Sequence, residues 1–181
     1  REHALELADK YRGPATLERT LALAWTQAQV QLHHLGIDLE EAHLFQRLAN
    51  SVLYSDASLR PSSDVLGRST LERSALWAHG ISGDLPIVLV RINETEDLEI
   101  VRQLLRAHEY WRTKQLSADL VVINEKSASY AQDLQISLEE LVRGSRLRLS
   151  PDTHNMRGNS CLVRAELISS QERALLQTGA R

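Results

Sequence analysis

The rhythm of apolar and polar positions changes once along the chain, near Leu85. Ahead of that point, Leu17, Leu21, Trp25, Ala28, Leu32 and Leu35 step by three or four and place one stripe on a helix of about five turns. Gly13-Pro14 precedes this helix, and Gly36 stands where a left-handed closing residue is wanted. The stretch "DLEE" opens a second helix, in which Asp38 can cap free N–H groups while Glu41 reaches back. Its apolar side is Leu44, Phe45, Leu48, Ala49, Val52 and Leu53. So short a connection predicts an antiparallel helical pair. The run "SDASLRPSSD" has turn residues and no period, so it reads as a loop. A further helix is expected over residues 63–77.

From Leu85 the texture is that of an α/β protein. "LPIVLVRI" is a near-continuous, β-branched apolar run, as expected of a strand covered on both faces. Pro86 fits only at its start, because proline cannot donate to the ladder. A helix follows with Leu98, Val101, Leu104, Leu105, His108 and Trp111 on one face, capped by Asn93 or Thr95. "DLVVI" is the second strand, residues 127–146 the next helix, and "SCLVRA" the third strand. The helix carries Leu134, Leu138, Leu141 and Val142 on its apolar side, and "SPDTHNMRGN" after it reads as a surface loop. Ser169-Ser170 caps a closing helix, "QERALLQ". Strand and helix in alternation predict right-handed crossovers and a parallel sheet. The expected fold is a small three-layer α/β sandwich, β-α-β-α-β-α, preceded by a helical arm. The expected domains are a helical arm and hairpin over residues 1–80 and an α/β domain over residues 81–181, able to pack as one unit.

Composition narrows the functional classes. The 181 residues carry a net charge of −3 and a pI near 6.2, which removes the electrostatic case for nucleic acid. Cys161 is the single cysteine, so no internal disulfide framework is possible and a reducing compartment fits. A catalytic thiol would need a histidine beside it in space, and His154 is near only in sequence. No apolar run approaches the roughly 20 residues of a membrane helix. "REHALELADKYRGP" lacks the apolar core of a leader and reads as a cut inside a longer chain, and "ERALLQTGAR" also stops without a tail.

The glycines of "GISGD" invite a phosphate-loop reading. Such a loop follows a strand and opens a helix, so that N–H groups and the helix dipole face the anion. Gly80 and Gly83 instead precede the first strand, while the strand-to-helix turns "RINETED" and "INEKSAS" contain no glycine. A tight bend tied down by Asp84 is the expected role. Ligands of open α/β sheets lie at the carboxyl ends of the strands, where Asn93, Glu94, Asn124, Glu125 and Lys126 fall. These residues suit helix capping, or a hydrogen-bonding rim for a sugar. His33, His34 and His43 lack metal-ligand spacing, since adjacent histidines on a helix point about 100° apart. Trp25 and Trp111 lie on apolar stripes and are expected in the core; Trp77 is a candidate sugar platform. No catalytic residue, metal or cofactor is expected.

The runs "DKYRGPATLERTLALAWTQAQVQLHHLGI", "EEAHLFQRLANSVLY", "LWAHGISGDLPIVLVRI" and "VRQLLRAHEYWRTKQLSADLVVINE" resemble an interior segment of bacterial cyclic β-1,2-glucan synthases. The resemblance covers about residues 9–135. It implies a very large membrane-associated parent that joins a UDP-glucose-dependent glycosyltransferase region to a cyclising region and a glycoside-phosphorylase module. No catalytic motif of that family lies in this chain. The implied role is a non-catalytic accessory or linker domain, on the cytoplasmic side of the inner membrane and without direct membrane contact of its own. Its partners would be neighbouring domains of the same polypeptide. The alternative is a carbohydrate- or nucleotide-sugar-binding module using the strand-end rim, with β-1,2-glucan segments or UDP-glucose as ligand.

Overall fold

A computed structural model describes residues 2–54, 56–68, 70–126, 132–147 and 158–181. The chain divides into two compact units, Arg1–Glu41 and Ala42–Arg181. The first holds α1 (Glu2–Lys10) and α2 (Pro14–Leu35). Gly13 precedes Pro14 at the helix start, and Gly36 closes α2 at φ 61°, its N–H donating to His33 O. The backbone N–H of Ile37 turns back to Leu32 O, completing the left-handed stop that the glycine permits. α2 buries none of its residues, and Trp25 is 65% exposed. That corrects the expectation of a core Trp25: an apolar period marks a face to be covered and does not say what covers it.

α3 (Leu39–Leu53) begins where Asp38 Oδ1 accepts from Glu41 N at 2.8 Å, one half of the expected box. In the second unit its Ala42, Phe45 and Val52 are buried. The helix expected over residues 63–77 is two pieces, α4 (Ser63–Arg68) and a 3₁₀ segment Arg73–His79. The spacing of apolar residues does not separate i+3 from i+4 bonding, so the period carried across a real break.

The sheet is parallel, in the order β1 (Ile87–Ile92), β2 (Asp119–Asn124), β3 (Ser160–Arg164). Between the strands run α5 (Leu98–Thr113) and α6 (Gln132–Leu147), which pack on each other; α7 (Ser170–Gly179) closes the chain. The first residues of the expected 127–146 helix and most of "SPDTHNMRGN" lie outside the described residues. Pleating sorts the strands into two cores. Leu120 and Val122 face Val101, Leu105, Leu134 and Leu138 of the α5–α6 layer. Val121 and Ile123 face Leu76, Ile81, Ile168 and Leu176 on the other side. Every residue of β2 is buried, as an apolar run on the central strand requires. Full burial of each aliphatic side chain there contributes roughly 1.5–3 kcal/mol.

The amino end of β2 is a knot of polar bonds. Asp119 is buried; its Oδ1 accepts from Asn159 N at 2.8 Å and its Oδ2 from the Ser82 hydroxyl at 3.3 Å. Its own N–H donates to Pro86 O at 2.8 Å. One residue earlier, Ala118 O lies 2.8 Å from His108 Nε2, while His108 Nδ1 lies 3.3 Å from the Ser160 hydroxyl. Burial pulls the His108 pKa down, so the neutral ring donates at Nε2 and accepts at Nδ1. Trp111 is buried as expected, its indole N–H donating to Phe45 O at 2.8 Å. Cys161 is buried in the sheet with its Sγ 3.6 Å from Gly80 O, and burial pushes its pKa up.

Gly158 runs against this knot. Its φ is 119°, and a Cβ there would stand 2.3 Å from Ala118 O. Gly144, within α6, has open space at the same position. Two glycine-to-alanine changes should therefore differ in sign. Gly158→Ala is expected to destabilise by about 2–4 kcal/mol, through strain and forced separation of backbone. Gly144→Ala should stabilise by roughly 0.5–1 kcal/mol, because alanine favours a helix interior. Urea denaturation midpoints of the two variants check both.

Candidate functional site

Among the described residues, polar side chains gather at the carboxyl-end rim of the sheet and in a cleft beside the 3₁₀ segment, as well as in the knot at the amino end. At the rim, Asn124 closes β2 and is 1% exposed. Its Nδ2 donates to Gln135 Oε1 at 3.0 Å, and its Oδ1 accepts from Lys126 N at 3.0 Å. Asn124 therefore ties the turn to α6, the local bond that asparagine makes readily at strand ends. Glu125 Oε1 accepts from Arg173 Nη1 at 2.6 Å and lies 3.8 Å from Arg91 Nη1. Lys126 Nζ stands 3.8 Å from Glu94 Oε2. Lys126 is thereby joined to both Glu94 and Asn124, while Glu125 pairs with Arg173 and Arg91 instead.

The start of α5 differs in detail from the expectation of an Asn93 or Thr95 cap. Asp97 Oδ2 accepts from both Asn93 N and Glu94 N at 3.2 Å, across a 3₁₀ turn, Thr95–Asp97. Asn93 supplies the captured N–H, and its side chain is exposed beside Glu94 at 3.5 Å. Asp97 thus reaches back to the N–H groups four and three residues before it, and a carboxylate is favoured at a helix start. The closing helix follows expectation: Ser169 Oγ accepts from Glu172 N at 3.2 Å, and Glu172 Oε2 accepts from Ser169 N at 2.7 Å.

The second place is a cleft of about 560 Å³ lined by Leu71, Glu72, Arg73, Trp77, Asp84 and Leu175, with Ser74 and Ser82. It lies within the roughly 300–1,000 Å³ of small-molecule sites. Trp77 is 67% exposed, and its indole N–H donates to Ser82 O at 3.2 Å. Gly80 and Gly83 both have φ 71°, so the bend "GISGD" uses glycine as predicted. A Cβ on Gly83 would meet Arg73 Cβ at 3.4 Å, so the glycine lets the Arg73 stem lie against the bend. Arg73 Nη1 then reaches Asp84 Oδ1 at 3.3 Å, both side chains more than 70% exposed. The bend itself was legible; its folding back on Arg73 was not, and Leu175 arrives from α7 with no local signal. His154, the histidine nearest Cys161 in sequence, lies outside the described residues.

α7 is held to the 3₁₀ segment by His79 Nε2 and Glu172 Oε1, 3.2 Å apart. The bonds from Ser169 N–H and then the Ser169 hydroxyl side, with His79, lower the Glu172 pKa from 4.5 to about 2. The folded state thus favours the carboxylate. Its contribution to stability is complete above the unfolded value of 4.5 and is lost as pH falls through about 2. Glu172→Gln is expected to lower the thermal midpoint at neutral pH, and the gap to the parent chain should close as pH falls from 4.5 towards 2. Thermal scans across that range check the sign; a gap that widens on acidification would refute it.

No family model matches the chain. Over all 181 residues it is 41% identical to cyclic beta-(1,2)-glucan synthase NdvB of Rhizobium meliloti (strain 1021). The chain spans 6% of the length of that relative. Along its whole length, the chain is therefore similar to one segment of a much larger glucan synthase.

Proposed function

We propose that this chain is a non-catalytic accessory domain of a cyclic β-1,2-glucan synthase. In this reading the helical arm is a linker, and the α/β body is a scaffold that orients a neighbouring phosphorylase-like module of the same polypeptide. The observation that carries the reading is the state of the rim in a chain so similar to a synthase segment. Where an open parallel sheet would present its ligand groups, Asn124 is buried and bonded at both ends, and Glu125 is taken up by Arg173 and Arg91. Those bonds stiffen the sheet and its helices against one another, which is what a spacer between modules needs. A nucleotide-sugar held at the rim draws less support, since it would have to displace these partners.

No helix among the described residues is long and apolar enough to cross a membrane. The scaffold reading accordingly assigns membrane attachment to other parts of the parent, with this segment on the cytoplasmic side.

The test is made in a parent synthase. Deletion of the segment matching residues 42–181 should leave glucosyl transfer from UDP-glucose intact while shifting the size distribution of the glucan rings. Mass spectrometry of the products reads the outcome. An unchanged distribution would overturn the scaffold role, and so would loss of all transfer in a deletion variant that still folds.

A further inference from the structure

We infer that the Trp77 cleft is a saccharide-binding site and that its ligand is a β-1,2-linked glucan segment. The linkage rests on the glucan-synthase reading above; the saccharide class rests on the cleft itself. β-Glucose carries its hydroxyls around the ring edge and presents two flat C–H faces, so a protein that holds it needs an aromatic plane with hydrogen-bonding groups at the plane's margin. Trp77 offers such a plane. It is 67% exposed, yet its indole N–H is already spent on Ser82 O, which fixes the ring and leaves it for stacking.

The margin is equally suited. Arg73 and Asp84 meet at 3.3 Å while both remain largely open to solvent, so the pair can donate to one hydroxyl and accept from its neighbour. Glu72 adds a second carboxylate on the wall, and Leu71 and Leu175 add apolar surface. The site is preorganised from below. Gly83 seats the Arg73 stem, and the His79–Glu172 contact anchors the 3₁₀ segment to the helix that carries Leu175. Preorganisation of this kind reduces the ordering cost of binding.

The experiment is a titration of the 181-residue chain with a ladder of linear β-1,2-glucooligosaccharides, followed through its three indole N–H resonances. Trp77→Phe assigns the Trp77 signal. Trp111, bonded to Phe45 O, reports that the fold persists, and Trp25, exposed on α2, reports unspecific stacking. The expected result is a saturable shift of the Trp77 resonance with Trp25 and Trp111 unmoved. Trp77→Ala should weaken affinity by about tenfold and Trp77→Phe by about threefold, as stacking is lost or kept. Equal shifts at Trp25 and Trp77, a motionless Trp77 resonance, or an affinity undiminished in a folded Trp77→Ala would each overturn the proposal. The scaffold reading is judged separately, by ring sizes in the parent deletion, so either can fail while the other stands.

Discussion

The buried carboxylate of Asp119 is the constraint on which the α/β body turns. A parallel sheet has no hairpins to hold its strands in register, so the chain must secure the amino ends of the strands by other means. Asp119 does so by accepting from Ser82, in the bend that leads into β1, and from Asn159, just ahead of β3. One buried charged group thus pins both flanking strands to the central one. The closer of the two bonds, from Asn159 N–H at 2.8 Å, is of a kind that contributes strongly when the acceptor is a carboxylate. The neighbouring contacts share this location. Gly158 passes against Ala118, whose carbonyl takes His108, and His108 takes Ser160.

With the amino end so secured, the opposite end of the sheet is closed by charge. Glu125 draws Arg173 of α7 and Arg91 of β1 to one oxygen, while Asn124 holds Gln135 of α6. Both helical layers are therefore stitched to the strand ends that, in related architectures, stay open for ligands. The open polar surface lies elsewhere, beside the 3₁₀ segment, where Trp77 and the Arg73–Asp84 pair stand in solvent. Architecture and candidate ligand surface are thereby separated. The sheet supplies rigidity, and a short irregular segment leaning on it supplies the groups that could touch a partner.

Much of this organisation was legible in the chain because burial on two faces leaves an unmistakable record. "DLVVI" is buried along its whole length, whereas "LPIVLVRI", on the sheet edge, is buried at Ile87 and Ile92, half-buried between them and exposed at Arg91. The parallel pairing of the two follows from the helix between them. Caps were legible where serine or aspartate had one geometry available, as at Ser169 and Asp38. At "NETED" an asparagine, a threonine and three carboxylates stand together, and the part played by Asp97 depended on a 3₁₀ turn that spacing does not encode. Trp25 failed for a different reason: an amphipathic stripe states a need and not its fulfilment. The Trp77 cleft was half legible. Its residues lie within "LERSALWAHGISGD", but only the fold reveals that Gly83 brings Arg73 over the bend and that Leu175 completes the wall.

The environment of Cys161 has a consequence for how this body responds to its surroundings. Sulfur chemistry proceeds through the thiolate, and here desolvation and the charge of Asp119 together disfavour that form. With Cys161 6% exposed, access of oxidants and alkylating reagents to the sulfur grows as the sheet parts from the layer that covers it. The rate at which the thiol is labelled is therefore a clock for opening of the folded body, built into the chain without any added probe.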